Sequence, residues 1–375
     1  MRALPLNLFM TADAVGGVFT YALDLARAVA PLEVGVTLVV LGPAMSERQH
    51  AAALATPGLS VIRPDLPLDW LARSDHDVRS SAEALADLAR GAGADVVQLN
   101  APSLALADYP APVVGVAHSC VASWWGDVKS GPLPIDFAWR TRLMREGLAR
   151  VDALVCPSHA YAGAVRRLYG ARPIVVHNGR DRSPALPSTA ATVGPSFAFT
   201  AGRLWDEGKN AATLDAAARD MDVPLLLAGP LEAPHGERFV SRHAKALGPL
   251  AEKAVRERLA RRPVFVSAAL YEPFGLSVLE AAQAGCPLVL SDIPTFRELW
   301  EGAALFVAPR DAAGFAKAVN RLASNAELSR RFGVAASNRA CAYGVHRMAS
   351  AMANLYRALV ARAGRPQINL DGAAA

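Results

Sequence analysis

Short apolar runs alternate along this chain with helical patterns, and Gly, Pro, Asn or Asp stands at most junctions. That alternation is the signature of βαβ units and parallel sheets. Leu4–Phe9 reads as a strand, Thr11–Gly17 as a glycine-ended loop and Val18–Ala30 as a helix. Further strands are expected at Val36–Leu41, Ser60–Ile62, Val96–Leu99, Val113–Val116, Ala153–Cys156 and Ile174–Val176. Helices are expected at Ser81–Ala89, Ala138–Ala149 and His159–Tyr169.

The pattern breaks at Arg180–Ser196, where Pro184, Pro187, Gly194 and Pro195 stand among small polar residues, the composition of a linker. A second βαβ series follows. Its strands are Phe197–Thr200, Pro224–Leu227, Val264–Ser267, Pro287–Leu290 and Ala304–Val307, with helices between them and more from Asp311 to Ala363. The chain therefore divides into a first domain, 1–179, a linker, 180–196, and a second domain, 197–344. The last helix, Val345–Ala363, follows a complete second domain and is expected to cross back onto the first. The expected class is α/β, two doubly wound parallel sheets facing a cleft at the carboxyl ends of their strands, where open sheets bind ligands.

Composition narrows the function. With 375 residues, 52% hydrophobic and 19% charged, the chain has core enough for two domains and is not disordered. No apolar run approaches the ~18 residues that span a bilayer. Leu4 to Met10 is apolar but short, and Asp13 follows, unlike a signal peptide. The four cysteines, Cys120, Cys156, Cys286 and Cys341, lack metal-site spacing and read as reduced thiols of a cytoplasmic protein. A net charge of +5 suits an anionic substrate or an anionic membrane face, and no basic run is long enough for nucleic acid.

The chemistry concentrates after strands. In Glu272-Pro-Phe-Gly-Leu-Ser-Val-Leu-Glu280, two carboxylates flank a helix start near Gly275. Free N–H groups at that terminus can dock an anion, leaving the carboxylates to accept hydrogen bonds from neighbouring hydroxyls. A phosphate beside hydroxyl-rich groups describes a nucleotide sugar. Arg203 and Lys209 share the loop after Phe197–Thr200, and two fixed cations suit a diphosphate, before and after it becomes a leaving group. The alternative is a pair of solvated cations matched with Asp206 or Glu207.

Gly16-Gly17 after the first strand lets backbone approach a ligand or makes an ordinary tight turn; the dinucleotide fingerprint G-x-G-x-x-G is absent there. His118 ends another strand, where it can bond a sugar hydroxyl or serve the core. Trp124-Trp125, read as a loop, can cover the cleft or pack on the domain surface. Asp75-His-Asp77 in a polar loop and Asp220-Met-Asp222 read as surface carboxylates rather than a metal site.

Gly202-Arg203 with Lys209, then Tyr271 to Glu280, Ala284-Gly-Cys-Pro287 and Ser291-Asp-Ile-Pro294, resembles the large family 4 of retaining glycosyltransferases. Asp13–Gly17, His118 and His177-Asn-Gly179 extend the resemblance into the first half. It implies a GT-B fold, a nucleotide-diphosphate sugar donor and an acceptor it does not identify. It also implies retention of configuration and no required metal or other cofactor. By position, Glu272 would bind donor sugar hydroxyls, with His118 contacting the same sugar. The backbone at Phe274, Gly275 and Leu276 would meet sugar and phosphate, and Glu280 the ribose. Arg203 and Lys209 would hold the diphosphate, Gly16 and Gly17 would lie near phosphate and acceptor, and the base would lie near Gly248. The mechanism implied is front-face attack, with the departing phosphate taking the acceptor's proton. One departure is plain: the family's N-G-V-D turn is Asn178-Gly-Arg-Asp181 here. Arg166-Arg167 and Arg261-Arg262 could touch an anionic membrane face, or simply face solvent. Two other readings share the residues, a sugar-nucleotide 2-epimerase of similar fold and a sugar-nucleotide-binding protein without catalysis.

Overall fold

The computed structural model describes residues 5–181, 195–233 and 236–364. Its described strands form two sheets. The first contains β1 (Leu6–Asp13), β2 (Val34–Leu41), β3 (Leu59–Ile62), β4 (Val96–Leu99), β5 (Val113–Val116), β6 (Ala153–Cys156) and β7 (Ile174–Val175), in the order β3-β2-β1-β4-β5-β6-β7. The second contains β8 (Ala198–Ala201), β9 (Leu225–Ala228), β10 (Lys245–Gly248), β11 (Val264–Ser267), β12 (Leu288–Ser291) and β13 (Ala304–Val307), in the order β10-β9-β8-β11-β12-β13. Neighbouring strands run parallel, and β4 and β12 are buried at every position, as strands covered by helices on both faces must be. The strand order reverses beside β1 in one sheet and beside β8 in the other. These switch points open crevices, and the loops after β1 and β8 carry Gly16-Gly17 and Arg203.

Three local expectations are corrected. The strand β1 runs on through Thr11 and Ala12 to Asp13, because β2 offers partners as far as Leu41. The helix expected at Ser81 begins at Asp75: Ser74 and Asp77 form a capping box, and the acidic first turn suits the helix dipole. The Asp75-His-Asp77 triplet is thus a helix start rather than a loop. Trp124 and Trp125 also lie on a helix, Val121–Val128, whose first turn is capped by the Cys120 sulfur.

Most of the expected linker lies outside the described residues. Arg180 enters it beside Gly344 in an isolated bridge. From that crossing the helix Val345–Ala363 runs back along the helix Gly17–Val29. It buries Val345, Met348, Met352 and Tyr356 in the core that also holds Leu8, Met10 and Leu25. Tyr356 donates its hydroxyl proton to Oε1 of Gln98 on β4. The C-terminal helix therefore belongs physically to the first sheet, although the second sheet precedes it in sequence.

Candidate active site

The loop after β8 is organised by Asp206. Oδ1 of this buried carboxylate accepts from Gly208 N at 2.9 Å and from Trp124 Nε1 at 3.0 Å, while Oδ2 accepts from Arg203 Nη2 at 2.9 Å. Burial pushes the Asp206 carboxyl up, but Arg203, Lys209 and the two N–H donors together hold it below its ordinary value. Asn210 ends the loop, its Nδ2 donating to the carbonyls of Ala268 and Pro309. The loop is thereby fixed against the ends of β11 and β13. Lys209 Nζ lies 2.5 Å from Oε2 of Glu272, which descends from the loop after β11.

Glu272 leads into the helix Leu276–Gln283 through Gly275, whose φ of 93° is the left-handed conformation glycine tolerates. No side chain caps this helix, so its first-turn N–H groups remain available to an anion. Phe274 beneath is buried edge-on against Tyr343, with ring centroids 5.8 Å apart. Glu280 sits just over one turn into the helix. Burial raises its carboxyl, and Arg180 opposes that rise from 2.5 Å.

The first domain supplies the opposite wall. Gly16 caps the helix Gly17–Val29 and Gly17 begins it. A Cβ at Gly16 would lie 3.3 Å from Arg203 Nη1, and one at Gly17 would lie 3.4 Å from Leu276 Cδ1. The glycine loop therefore faces Arg203 and the open helix end at touching distance. Asp13 turns its carboxylate back onto the N–H groups of Val15 and Gly16; burial raises it, partly offset by those bonds and Arg203.

His118, two residues past β5, lies edge-on to Tyr21 with centroids 4.6 Å apart. Its Nε2 is 3.0 Å from Oδ1 of Asn100, which also accepts from Gln98 Nε2. A carbonyl oxygen accepts only, so Nε2 carries the proton and Nδ1 is left as an acceptor. Burial lowers the imidazole to about 4, so it is neutral at physiological pH.

The structure thus draws Gly16, Gly17, Arg203, Lys209, Glu272, Gly275 and Leu276 to one junction. Glu280 lies a turn further in. Gly248 ends the edge strand β10, where its carbonyl accepts from Gly229 N at 2.9 Å. His177 is engaged elsewhere, with Nε2 3.1 Å from Oε1 of Glu298. Together with His159 these form the metal-capable trio among the described residues, with ligand atoms within 4.8 Å of one another. A simpler account suffices: Glu298 of the second domain accepts the N–H groups of His159 and Ala160 and caps the helix His159–Tyr169 of the first. That capping and His177 outweigh burial and hold Glu298 low.

Sequence reasoning missed Asn100, Tyr271 as a cross-cleft ligand, and Arg180. Asn100 carried a usable signal, a polar residue directly after an apolar strand. Tyr271 Oη meets Ser123 Oγ at 2.8 Å, a pairing 148 residues apart that no local pattern announces. Chemically, the junction offers two cations and an uncapped helix end to an anion, beside a carboxylate able to accept from hydroxyls.

Comparison with known proteins gives these features a context. Residues 15–183 match the model described as Glycosyltransferase Family 4, and residues 187–339 the model described as Glycosyl transferases group 1. A glycogen synthase of Mycobacterium tuberculosis is 30% identical over 289 residues, covering 72% of this chain and 69% of that protein. An alpha-maltose-1-phosphate synthase of Mycolicibacterium smegmatis is 30% identical over 271 residues, covering 62% of this chain and 68% of the relative. Sucrose-phosphate synthase from Thermosynechococcus elongatus superposes with a TM-score of 0.78 at 19% identity, over 95% of this chain and 100% of that one.

Proposed function

Because this chain belongs to glycosyltransferase family 4 and folds as a GT-B glycosyltransferase, we propose that it moves a sugar from a nucleotide-diphosphate donor to a saccharide hydroxyl, with retention and without a metal. The observation that carries this reading is the convergence of Arg203, Lys209 and Glu272 on the uncapped N-terminus at Gly275, facing Gly16 and Gly17. A diphosphate laid there meets two cations and free N–H groups. Charge growing on it as the glycosidic bond breaks is met by groups already in place. Glu272, beside Lys209, orients the transferring sugar through its hydroxyls. Neutral His118 has Nδ1 free to accept from a sugar hydroxyl.

In this account the acceptor oxygen attacks from the face the diphosphate leaves, and its proton passes to the departing phosphate oxygen. The relatives named for glycogen and maltose-1-phosphate synthesis support a saccharide acceptor. Membrane contact has less support: among the described residues no helix is long and apolar enough to cross a bilayer, and peripheral contact rests on surface arginine pairs alone.

The test is a thermal-shift panel of UDP-, GDP-, ADP- and dTDP-sugars, since a ligand of the native state raises its apparent stability. The stabilising donor is then incubated with oligosaccharides and chelator, and the product anomer is read by NMR. An α-linked product from an α-donor without metal supports the proposal. A flat panel overturns it. A changed sugar still attached to its nucleotide would favour the epimerase.

A further inference from the structure

Arg180 stands where the family's turn carries valine, and it meets carboxylates from both domains. Its side chain is 15% exposed, with Nη1 2.5 Å from Oε1 of Glu280, Nε 3.2 Å from Oδ2 of Asp24 and Nη2 3.6 Å from Oε1 of Glu252. The Asp24 contact is close but not aligned as a hydrogen bond, whereas the Glu280 contact is. The backbone is held equally firmly. Arg180 N donates to Tyr343 O at 3.2 Å, and its carbonyl accepts from Nε2 of Gln283 at 2.9 Å. Gln283 and Glu280 lie on one helix, so that helix grips the residue at both main chain and guanidinium.

We propose that Arg180 is a positioning residue for the donor's ribose, fixing the Glu280 carboxylate by one oxygen so that the other is presented to the ribose hydroxyls. This rests on the reading of Glu280 as the ribose contact. Glu280 Oε2 has no protein partner among the described residues, and its side chain is 29% exposed. A carboxylate accepts from both hydroxyls of a ribose, whereas its protonated form must use one oxygen as a donor. The charged groups facing Glu280 are Arg180, Glu252 and Asp24, and of these Arg180 alone favours its ionised form. Around them, Arg27 pairs with Asp24, Arg256 lies 4.0 Å from Glu252, and Asp181 acts on Arg180. Without the guanidinium, the Asp24 and Glu280 carboxylates would face each other with Glu252 nearby and no cation between them, and Glu280 would take a proton more readily.

The test is calorimetric titration of the full chain with UDP, GDP and ADP, followed by the 2′-deoxy form of whichever binds tightest. Arg180→Met is expected to weaken that nucleotide about 10-fold or more, the scale of a hydrogen bond to a charged group. The loss should be larger at pH 6 than at pH 8, and the preference for ribose over deoxyribose should shrink with it. In a Glu280→Gln background, Arg180→Met should add nothing, because its effect passes through that carboxylate. Asp24→Asn, which leaves the Arg180–Glu280 bond in place, should bind nearly as the wild type does. Equal loss in Asp24→Asn, or additive loss in the double variant, would mark Arg180 as a mere interdomain strut and overturn the proposal. Unchanged or tighter binding by Arg180→Met would overturn it too, while leaving the donor reading intact. A wild type that binds none of the three overturns both.

Discussion

Lys209 and Glu272, 63 residues apart in sequence, meet at 2.5 Å where the loops after β8 and β11 converge. The glutamate side chain is 14% exposed, so the ammonium rather than bulk water faces its carboxylate. Lys209→Met should lower kcat/KM for the donor by about 10²-fold or more, as expected when a charge-stabilising contact is removed. Glu272→Gln should do likewise, and the double variant should cost less than the two losses combined, since both act on one interaction. Steady-state kinetics on the three variants checks this; near-wild-type turnover in Lys209→Met would refute the role.

Gly229 follows β9 with φ of +138°, and a Cβ there would lie 1.8 Å from the carbonyl oxygen of Gly202. Gly202 adjoins Arg203, so close backbone approach at this point sets where the arginine sits. Gly229→Ala should destabilise the fold by about 2 kcal/mol or more, because both a backbone clash and a disfavoured φ must be relieved. Urea denaturation provides the measurement. Cleft activity should fall further than in Gly91→Ala, whose Cβ would meet open space at an ordinary φ.

His118 makes stability depend on pH. Its folded value, about 4, lies below the ordinary 6.5, so between these limits the unfolded chain binds the extra proton. The neutral ring's contribution is therefore complete above about pH 6.5 and is lost as pH falls toward 4. Comparing wild type with His118→Gln by chemical denaturation at pH 7 and 5 isolates the effect. The stability advantage of wild type over the variant should shrink at pH 5. An unchanged difference would mean that the ring is not held neutral.

Tyr356 reaches the site from the far end of the chain. Its hydroxyl donates to Gln98, whose Nε2 donates to Asn100 at 3.0 Å, and the same Asn100 oxygen accepts from His118. Tyr356→Phe leaves a buried carbonyl oxygen without its donor, which should cost about 1–3 kcal/mol. The denaturation slope should stay unchanged, because the helix remains packed through Met348 and Met352. A cost near zero would mean that Gln98 does not rely on this donor, Tyr21 being the other phenol bonded to it.

Much of the fold was legible because parallel strands buried on both faces are written as uninterrupted apolar runs. Val113–Val116, Ala153–Cys156 and Val264–Ser267 stand where those runs stand, Val96–Leu99 does so around Gln98, and Ala304–Val307 is an apolar run at the sheet edge. The Val121–Val128 helix was hidden because its residues, two tryptophans among them, suit a cleft cover as well as a helix; its start depends on a cysteine cap, an uncommon signal. The edge strand β10 was hidden because Lys245–Gly248 is short and only partly buried. The Asp75 start is written in the Ser74–Asp77 capping box, a turn and a half ahead of the apolar periodicity.

By itself, the sequence determined the elements, the alternation that makes parallel sheets, and which loops carry charge and glycine at strand ends. These are local matters, governed by periodicity, caps and turns within a few residues. Tertiary structure decided which of those groups meet: Lys209 with Glu272, Gly16 with Arg203, Trp124 with Asp206, Tyr356 with Gln98. It also gave Arg180 a partner in Glu280, 100 residues on. Such pairings depend on the order of strands within each sheet and on how the two sheets face each other. Both are set by burial summed over the whole core rather than by any short stretch of chain.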